Sequence, residues 1–290
     1  MKCKLMDVFS NQPFSGNSLS IFNNSTMLSN KNMQNYTREL RQFESIFVSP
    51  TGTSNTFEAR IFTMEEELDF AGHPVLGLAA HLHDQYGTEQ SHQWKIKLRE
   101  KTIDVNTRQI DHYYHAVMRQ GPPKFIKQLS KKNEKNILNA LNLPAASLAD
   151  MPMEVISTGL PYLIVPISTN IADARISVPD FESLLDSYGA KFVYVLDIST
   201  REGRTWDNDG RVEDIATGSA AGPAAAYMWK HGLIDASENL TISQGRFVGR
   251  PCNMNINLKE VNGEVIDILL GGDVCPVADI QFEFKGFNDR

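Results

Sequence analysis

Alternating apolar and polar positions from Lys4 to Phe9 predict a strand. The turn-forming run Ser10-Asn11-Gln12-Pro13-Phe14-Ser15-Gly16-Asn17 separates it from a second strand at 18–23. The spacing then turns helical over 29–42, through Met33, Tyr36 and Leu40, before further strand patterns at 44–48 and 57–63. Alternation stops at Leu68-Asp69-Phe70-Ala71-Gly72-His73-Pro74, and the stretch that follows, Val75-Leu76-Gly77-Leu78-Ala79-Ala80-His81-Leu82, is almost entirely small or apolar. It reads as a helix over 73–86 that is buried on all sides and ends near Gly87. Pro74 sits in its first turn, where a missing N–H removes no helix bond. Strand patterns resume near 93–99, 101–107 and 112–119 and close at Gly121-Pro122-Pro123. The Lys-rich amphipathic segment 127–141 then reads as an exposed helix or linker.

Beyond that break the same order recurs. Strands are expected at 154–157 and 161–166, a short helix at 180–188, a strand at 191–197, and a second small-residue helix over 219–231 introduced by Thr217-Gly218-Ser219-Ala220. Strands near 240–244, 250–258, 265–272 and 274–284 complete the chain. Gly72 and Gly218 stand 146 positions apart, as do His73 and Ser219, and Arg60-Ile61-Phe62 is echoed by Arg204-Thr205-Trp206. Such recurrence predicts an α/β (α+β) fold of two pseudo-symmetric halves, each a mostly antiparallel sheet or barrel around one central helix. The halves are expected at 1–122, joined by 280–290, and at 123–279. The N-termini of the two central helices, 73–86 and 219–231, are expected to face a shared cleft.

Bulk properties narrow the function classes. A net charge of −7 offers no basic face for nucleic acid, and no apolar run reaches membrane-spanning length. Met1-Lys2-Cys3-Lys4-Leu5-Met6-Asp7 enters a strand pattern and not a signal peptide, so a cytoplasmic protein without nucleic-acid or membrane partners is expected. Cys3, Cys252 and Cys275 are odd in number and lack metal-ligand spacing, which fits a reducing compartment and three small buried side chains. No His/Cys/Asp cluster has ligand spacing either, so no metal is expected.

Four polar residues stand beside the two helix mouths: Glu44, His73, Asp214 and Ser219. A helix N-terminus favours anions through its dipole and its unpaired N–H groups, which makes each mouth a candidate carboxylate cradle. A carboxylate next to such a cradle suits proton transfer at carbon, the carboxylate acting as base and the N–H groups holding the developing charge. Taken alone, Ser219 reads as a helix cap, Asp214 as a turn former and His73 as a helix-end side chain. Glu44 differs, since a carboxylate heading an apolar strand is expected to be paired or functional when buried.

Several segments in order carry a resemblance: Asp7-Val8-Phe9 with Pro13-Phe14-Ser15-Gly16-Asn17, Glu44, Phe70-Ala71-Gly72-His73-Pro74-Val75-Leu76-Gly77, Glu213-Asp214 with Thr217-Gly218-Ser219-Ala220, Gln244-Gly245, and Gly249-Arg250-Pro251. Together the chain resembles the PhzF-like phenazine-biosynthesis isomerase family. The resemblance implies a diaminopimelate epimerase-like fold, a homodimer, and a cofactor-independent isomerase that moves a proton on a small, cyclic or acyclic, carboxylic acid. By motif position it implies Glu44 as general acid/base, with Gly72, His73, Asp214, Gly218 and Ser219 binding substrate. Two departures stand out. Ile215-Ala216 replaces the usual Pro-Val after Glu-Asp, and Ala221 stands where a histidine is frequent. An amino-acid epimerase or racemase on the same scaffold is the alternative, but it would place a thiolate at each helix mouth, and no cysteine lies near either in sequence. A non-catalytic ligand-binding homologue is a third reading, one that gives Glu44 no task.

Overall fold

Gly72 to His83 are all buried, so the helix they begin, α2 (Gly72–Tyr86), presents no polar face to solvent and needs a complete wrapping of its own. In the computed structural model, which describes residues 1–23, 25 and 28–283, that wrapping comes from one of two compact units. The first unit is Met1–Arg119 with the chain from Gly271 onward, and the second is Gln120–Leu270.

In the first unit the strand order is β1 (Lys2–Val8), β2 (Asn17–Asn23), β3 (Glu44–Pro50), β4 (Thr56–Phe62), β6 (Ser91–Lys97), β7 (Thr102–Ile110) and β8 (Tyr113–Gly121), with the short β5 (Glu67–Leu68) beside β4. The last strand of the chain, β16 (Glu264–Gln281), follows β8 and pairs with β1, closing the sheet around α2. Two neighbours are parallel, β2 with β3 and β4 with β6. Gly77 lets α2 settle on this wall: a Cβ there would stand 2.5 Å from Leu19 Cδ2 and 2.9 Å from Val8 Cγ2. Outside the sheet, α1 (Asn30–Leu40) starts at Ser29, whose hydroxyl accepts the Asn32 N–H. It packs Met33 and Tyr36 on a cluster with Cys3, Phe22, Phe47 and Phe62.

The second unit repeats the plan. Its strands run in the order β9 (Lys124–Gln128), β10 (Glu154–Ser157), β11 (Pro161–Ile167), β12 (Phe192–Asp197), β13 (Glu202–Arg204), β14 (Leu240–Gln244), β15 (Cys252–Val261) and the first part of β16. The parallel pairs fall at the matching places, β11 with β12 and β13 with β14. The central helix α5 (Gly218–Lys230) packs on β10, β11, β12 and β15. The remaining helices of the unit are α3 (Lys131–Ala140) and α4 (Phe181–Asp186). The echo of Arg60 in Arg204 is structural too. Arg60 forms a two-pronged pair with Glu67 at 2.5 and 2.7 Å, and Arg204 forms the same pair with Glu213 at 2.6 and 2.9 Å. Each glutamate lies five residues before the first residue of its central helix.

Three expectations are corrected. Segment 127–141 is neither linker nor exposed helix: it holds the end of β9 and then α3, whose Glu134, Ile137, Leu138 and Ala140 are buried in the second unit's core. The strands expected at 265–272 and 274–284 are one strand, β16, because Gly271 and Gly272 continue the ladder instead of turning it. Helix α5 starts one residue early, at Gly218, and carries Pro223 inside, so the Ser219 carbonyl receives no N–H four residues on. The expectation that 280–290 joins the first half falls largely on 284–290, outside the described residues.

Candidate active site

In the first unit, Glu44 is the first residue of β3, set opposite Leu19 of the parallel strand β2. Its carboxylate is 19% exposed and His73, in the first turn of α2, is 6% exposed. Glu44 Oε2 and His73 Nε2 stand 3.5 Å apart, and Nε2 makes no hydrogen bond. Burial pushes the His73 imidazole down to about 3, which leaves it neutral at ordinary pH. The cap residue Ala71 has no side-chain acceptor to offer, and the first N–H groups of α2 have no partner within the helix. Glu44, Gly72 and His73 therefore form one group at a helix N-terminus: a carboxylate, a neutral imidazole and main-chain donors. In the same unit, buried Asp7 accepts the Phe14 N–H at 2.7 Å and ties down the turn before Asn17.

In the second unit, Asp214 follows Glu213, whose pair with Arg204 is almost fully buried. The Asp214 N–H donates to Thr205 at 3.0 Å, and its carboxylate Oδ2 accepts the Thr217 hydroxyl at 2.5 Å. Burial pushes the Asp214 carboxyl above its ordinary value, against the hydrogen bonds from Thr217 and from the N–H groups of Ala216 and Ile215. These contacts hold the turn that Ile215-Ala216 makes without a proline. Ser219, in the first turn of α5, lies 2.7 Å from the Tyr162 hydroxyl, and Gln120 Nε2 donates to the Gly218 carbonyl at 2.8 Å. Asp214, Gly218 and Ser219 thus form a second group at a helix N-terminus. Sequence reasoning missed Tyr162 and Gln120 and noted Gln244 only as a motif, because strand pairing and not local spacing brings them to these residues.

Among the described residues, no group of three or more His, Cys, Asp or Glu is placed to hold a metal ion, and no helix is long and apolar enough to cross a membrane.

The family described as phenazine biosynthesis-like protein matches residues 6–279 of the chain. The chain belongs to that family. The trans-2,3-dihydro-3-hydroxyanthranilate isomerase of Pseudomonas aeruginosa is 29% identical over 95% of this chain and 96% of the relative. A solved structure from the same organism, described as a predicted epimerase, is 41% identical with a TM-score of 0.91, covering 98% of this chain and 99% of that one. A probable proline racemase from Agrobacterium radiobacter shares the fold at 10% identity and a TM-score of 0.62, over 99% of this chain and 94% of that one. Like the phenazine biosynthesis-like relatives named for their activity, the chain is an isomerase.

Proposed function

We propose that the protein isomerises a small carboxylic acid by moving a proton between two of its carbon atoms, with Glu44 as general acid/base and no cofactor. The observation that carries this reading is Glu44 itself: a mostly buried carboxylate at the mouth of α2, beside an imidazole that burial keeps neutral. A neutral imidazole carries no charge with which to hold the carboxylate in a salt bridge. Removing a proton from carbon requires the anion to be held, and one preorganised donor is worth roughly 3–4 kcal/mol. The N–H groups at Gly72 and His73 are such donors, and we assign Asp214, Gly218 and Ser219 to substrate binding as well. Trans-2,3-dihydro-3-hydroxyanthranilate, in the name of the Pseudomonas aeruginosa relative, is the first compound to assay.

An epimerase working through two thiolates fits less well. All three cysteines are buried and unpaired with one another; burial pushes the Cys3 thiol up to about 11 and raises that of Cys275.

The test is solvent exchange. In D2O the protein should place deuterium on a carbon of that acid. Glu44→Gln, which keeps shape and polarity, should slow the incorporation by about 10²-fold or more while still binding the product. Undiminished exchange in Glu44→Gln would remove Glu44 from the mechanism.

A further inference from the structure

The motif Gln244-Gly245 has no task in the function proposed above. Gln244 is 1% exposed, and all four hydrogen-bonding positions of its amide are used. Nε2 donates to the Asp214 carbonyl at 2.9 Å and to Thr217 Oγ1 at 3.0 Å. Oε1 accepts from the Thr217 N–H at 3.3 Å and from the Tyr194 hydroxyl at 3.2 Å. A main-chain carbonyl only accepts and a main-chain N–H only donates, so these two partners fix which end of the amide is which.

The direction then propagates. Thr217 Oγ1 receives a hydrogen from Nε2, so its own hydroxyl hydrogen is left for Asp214 Oδ2, 2.5 Å away. The chain runs one way, from Gln244 through Thr217, and ends on the Asp214 carboxylate as an acceptor. Gly245 makes the approach possible. Its φ is +87°, and a Cβ there would stand 2.6 Å from the Ile215 carbonyl and 2.3 Å from that of Arg250.

We propose that Gln244 is a positioning residue of the isomerase: acting through the Thr217 hydroxyl, it presents Asp214 as a hydrogen-bond acceptor to a donor group, an amine or hydroxyl, on the substrate. The inference rests on the assignment of Asp214 to substrate binding. The arrangement answers a specific difficulty, since burial works to protonate this carboxyl. Among the described residues, the titratable groups that act on it do not favour its ionised form. They are Glu213, which Arg204 engages at both oxygens, and the phenol of Tyr194, which burial keeps protonated. Tyr162, Cys252 and Glu202 face Tyr194 in turn, and Glu202 is engaged by Arg246. The donors to Asp214 are Thr217 and the Ile215 and Ala216 N–H groups, and of these only the Thr217 hydroxyl has a direction that another side chain sets.

The experiment titrates Asp214 directly by carbon-13 NMR of protein labelled at the aspartate carboxyl carbons, with the resonance assigned through Asp214→Asn. Thr217→Val should move the Asp214 titration upward by about one pH unit or more, and Thr217→Ser should restore it. Gln244→Met should give a comparable upward shift in the parent but almost none in the Thr217→Val background, because its effect passes through that hydroxyl. Equal shifts in both backgrounds, or no shift for Thr217→Val, would overturn the proposal. If Gln244→Met does not fold, Gln244→Asn, which keeps the amide but withdraws it from Thr217 by one methylene, takes its place in both backgrounds under the same criteria. Asp214→Asn with an unchanged deuterium-exchange rate would instead overturn the binding role of Asp214, an outcome the titration does not depend on.

Discussion

His73 and His81 lie on the same buried helix, and burial holds their imidazoles down to about 3 and about 4. An unfolded histidine takes up its proton near pH 6.5, whereas these two remain neutral in the fold until well below that. The unfolded chain therefore binds more protons between pH 6.5 and the folded values. Stability is fully present above pH 6.5 and falls as the pH drops toward 4, by up to ~1.4 kcal/mol per pH unit for each histidine. Melting temperature followed between pH 7 and 4.5 should decline, and His73→Asn should decline less steeply than the parent over the same window. Parallel slopes would mean that His73 takes up a proton in the fold, and the neutral-imidazole picture of the Glu44 pair would go with it. The chemistry at this scale was legible in sequence only where a residue type contradicts its surroundings: Glu44 heads an apolar strand and His73 opens an apolar helix. Tyr162 and Gln244 gave no such signal, being ordinary residues in ordinary strands until pairing sets them against Ser219 and Thr217.

At the scale of elements, the two central helices were legible because small residues with no polar face have nowhere to go but inside. The cost of that design falls at Gly77. A methyl group there would gain up to about 1 kcal/mol of helix propensity, but it would drive into Leu19 and Val8 at separations no real side chain tolerates. Gly77→Ala should therefore lower the free energy of unfolding by a net ~1–3 kcal/mol, read as a lower urea midpoint with an unchanged slope, and a stabilised variant would show that α2 does not sit against β1 and β2 as described. The misread elements have equally physical causes. Lysines on the outer face of α3 mask Ile137 and Leu138 on its inner face. Gly271 and Gly272 look like a turn but serve close approach within a continuous strand, where side chains would meet Ala116 at 3.2 Å and Phe9 at 2.4 Å. Sequence pattern reports burial well; it does not distinguish a glycine needed for its φ from one needed for its size.

At the scale of the whole molecule, the two units keep the same frame and divide the chemistry. Both units retain an Arg–Glu pair five residues before a central helix, yet at the 146-residue offset Glu44 falls on Ala190 and Asp214 on Leu68. Each unit thus carries one of the two candidate site carboxylates, at a position that is apolar in its counterpart, which suits the proposed division between an acid/base and a binding group. The two units are not alike in connectivity, however, and that makes a testable difference. The second unit is a single stretch of chain, Gln120–Leu270, with its own central helix and its own buried core. At roughly 150 residues it has the size at which a domain buries about 68–70% of its unfolded surface. The first unit depends on β16, which returns after Gly271 to pair with β1 from Val8↔Val274 to Lys2↔Gln281. A fragment of residues 120–270 should therefore unfold cooperatively in urea and give dispersed amide resonances. A fragment of residues 1–119 should aggregate or remain unfolded, because β1 is left with an unpaired edge. Attaching residues 271–290 to the second fragment through a flexible linker should recover its fold, since the missing strand supplies that pairing. If 1–119 folded unaided, or if 120–270 did not fold, the division of the chain into these two units would not correspond to units of stability.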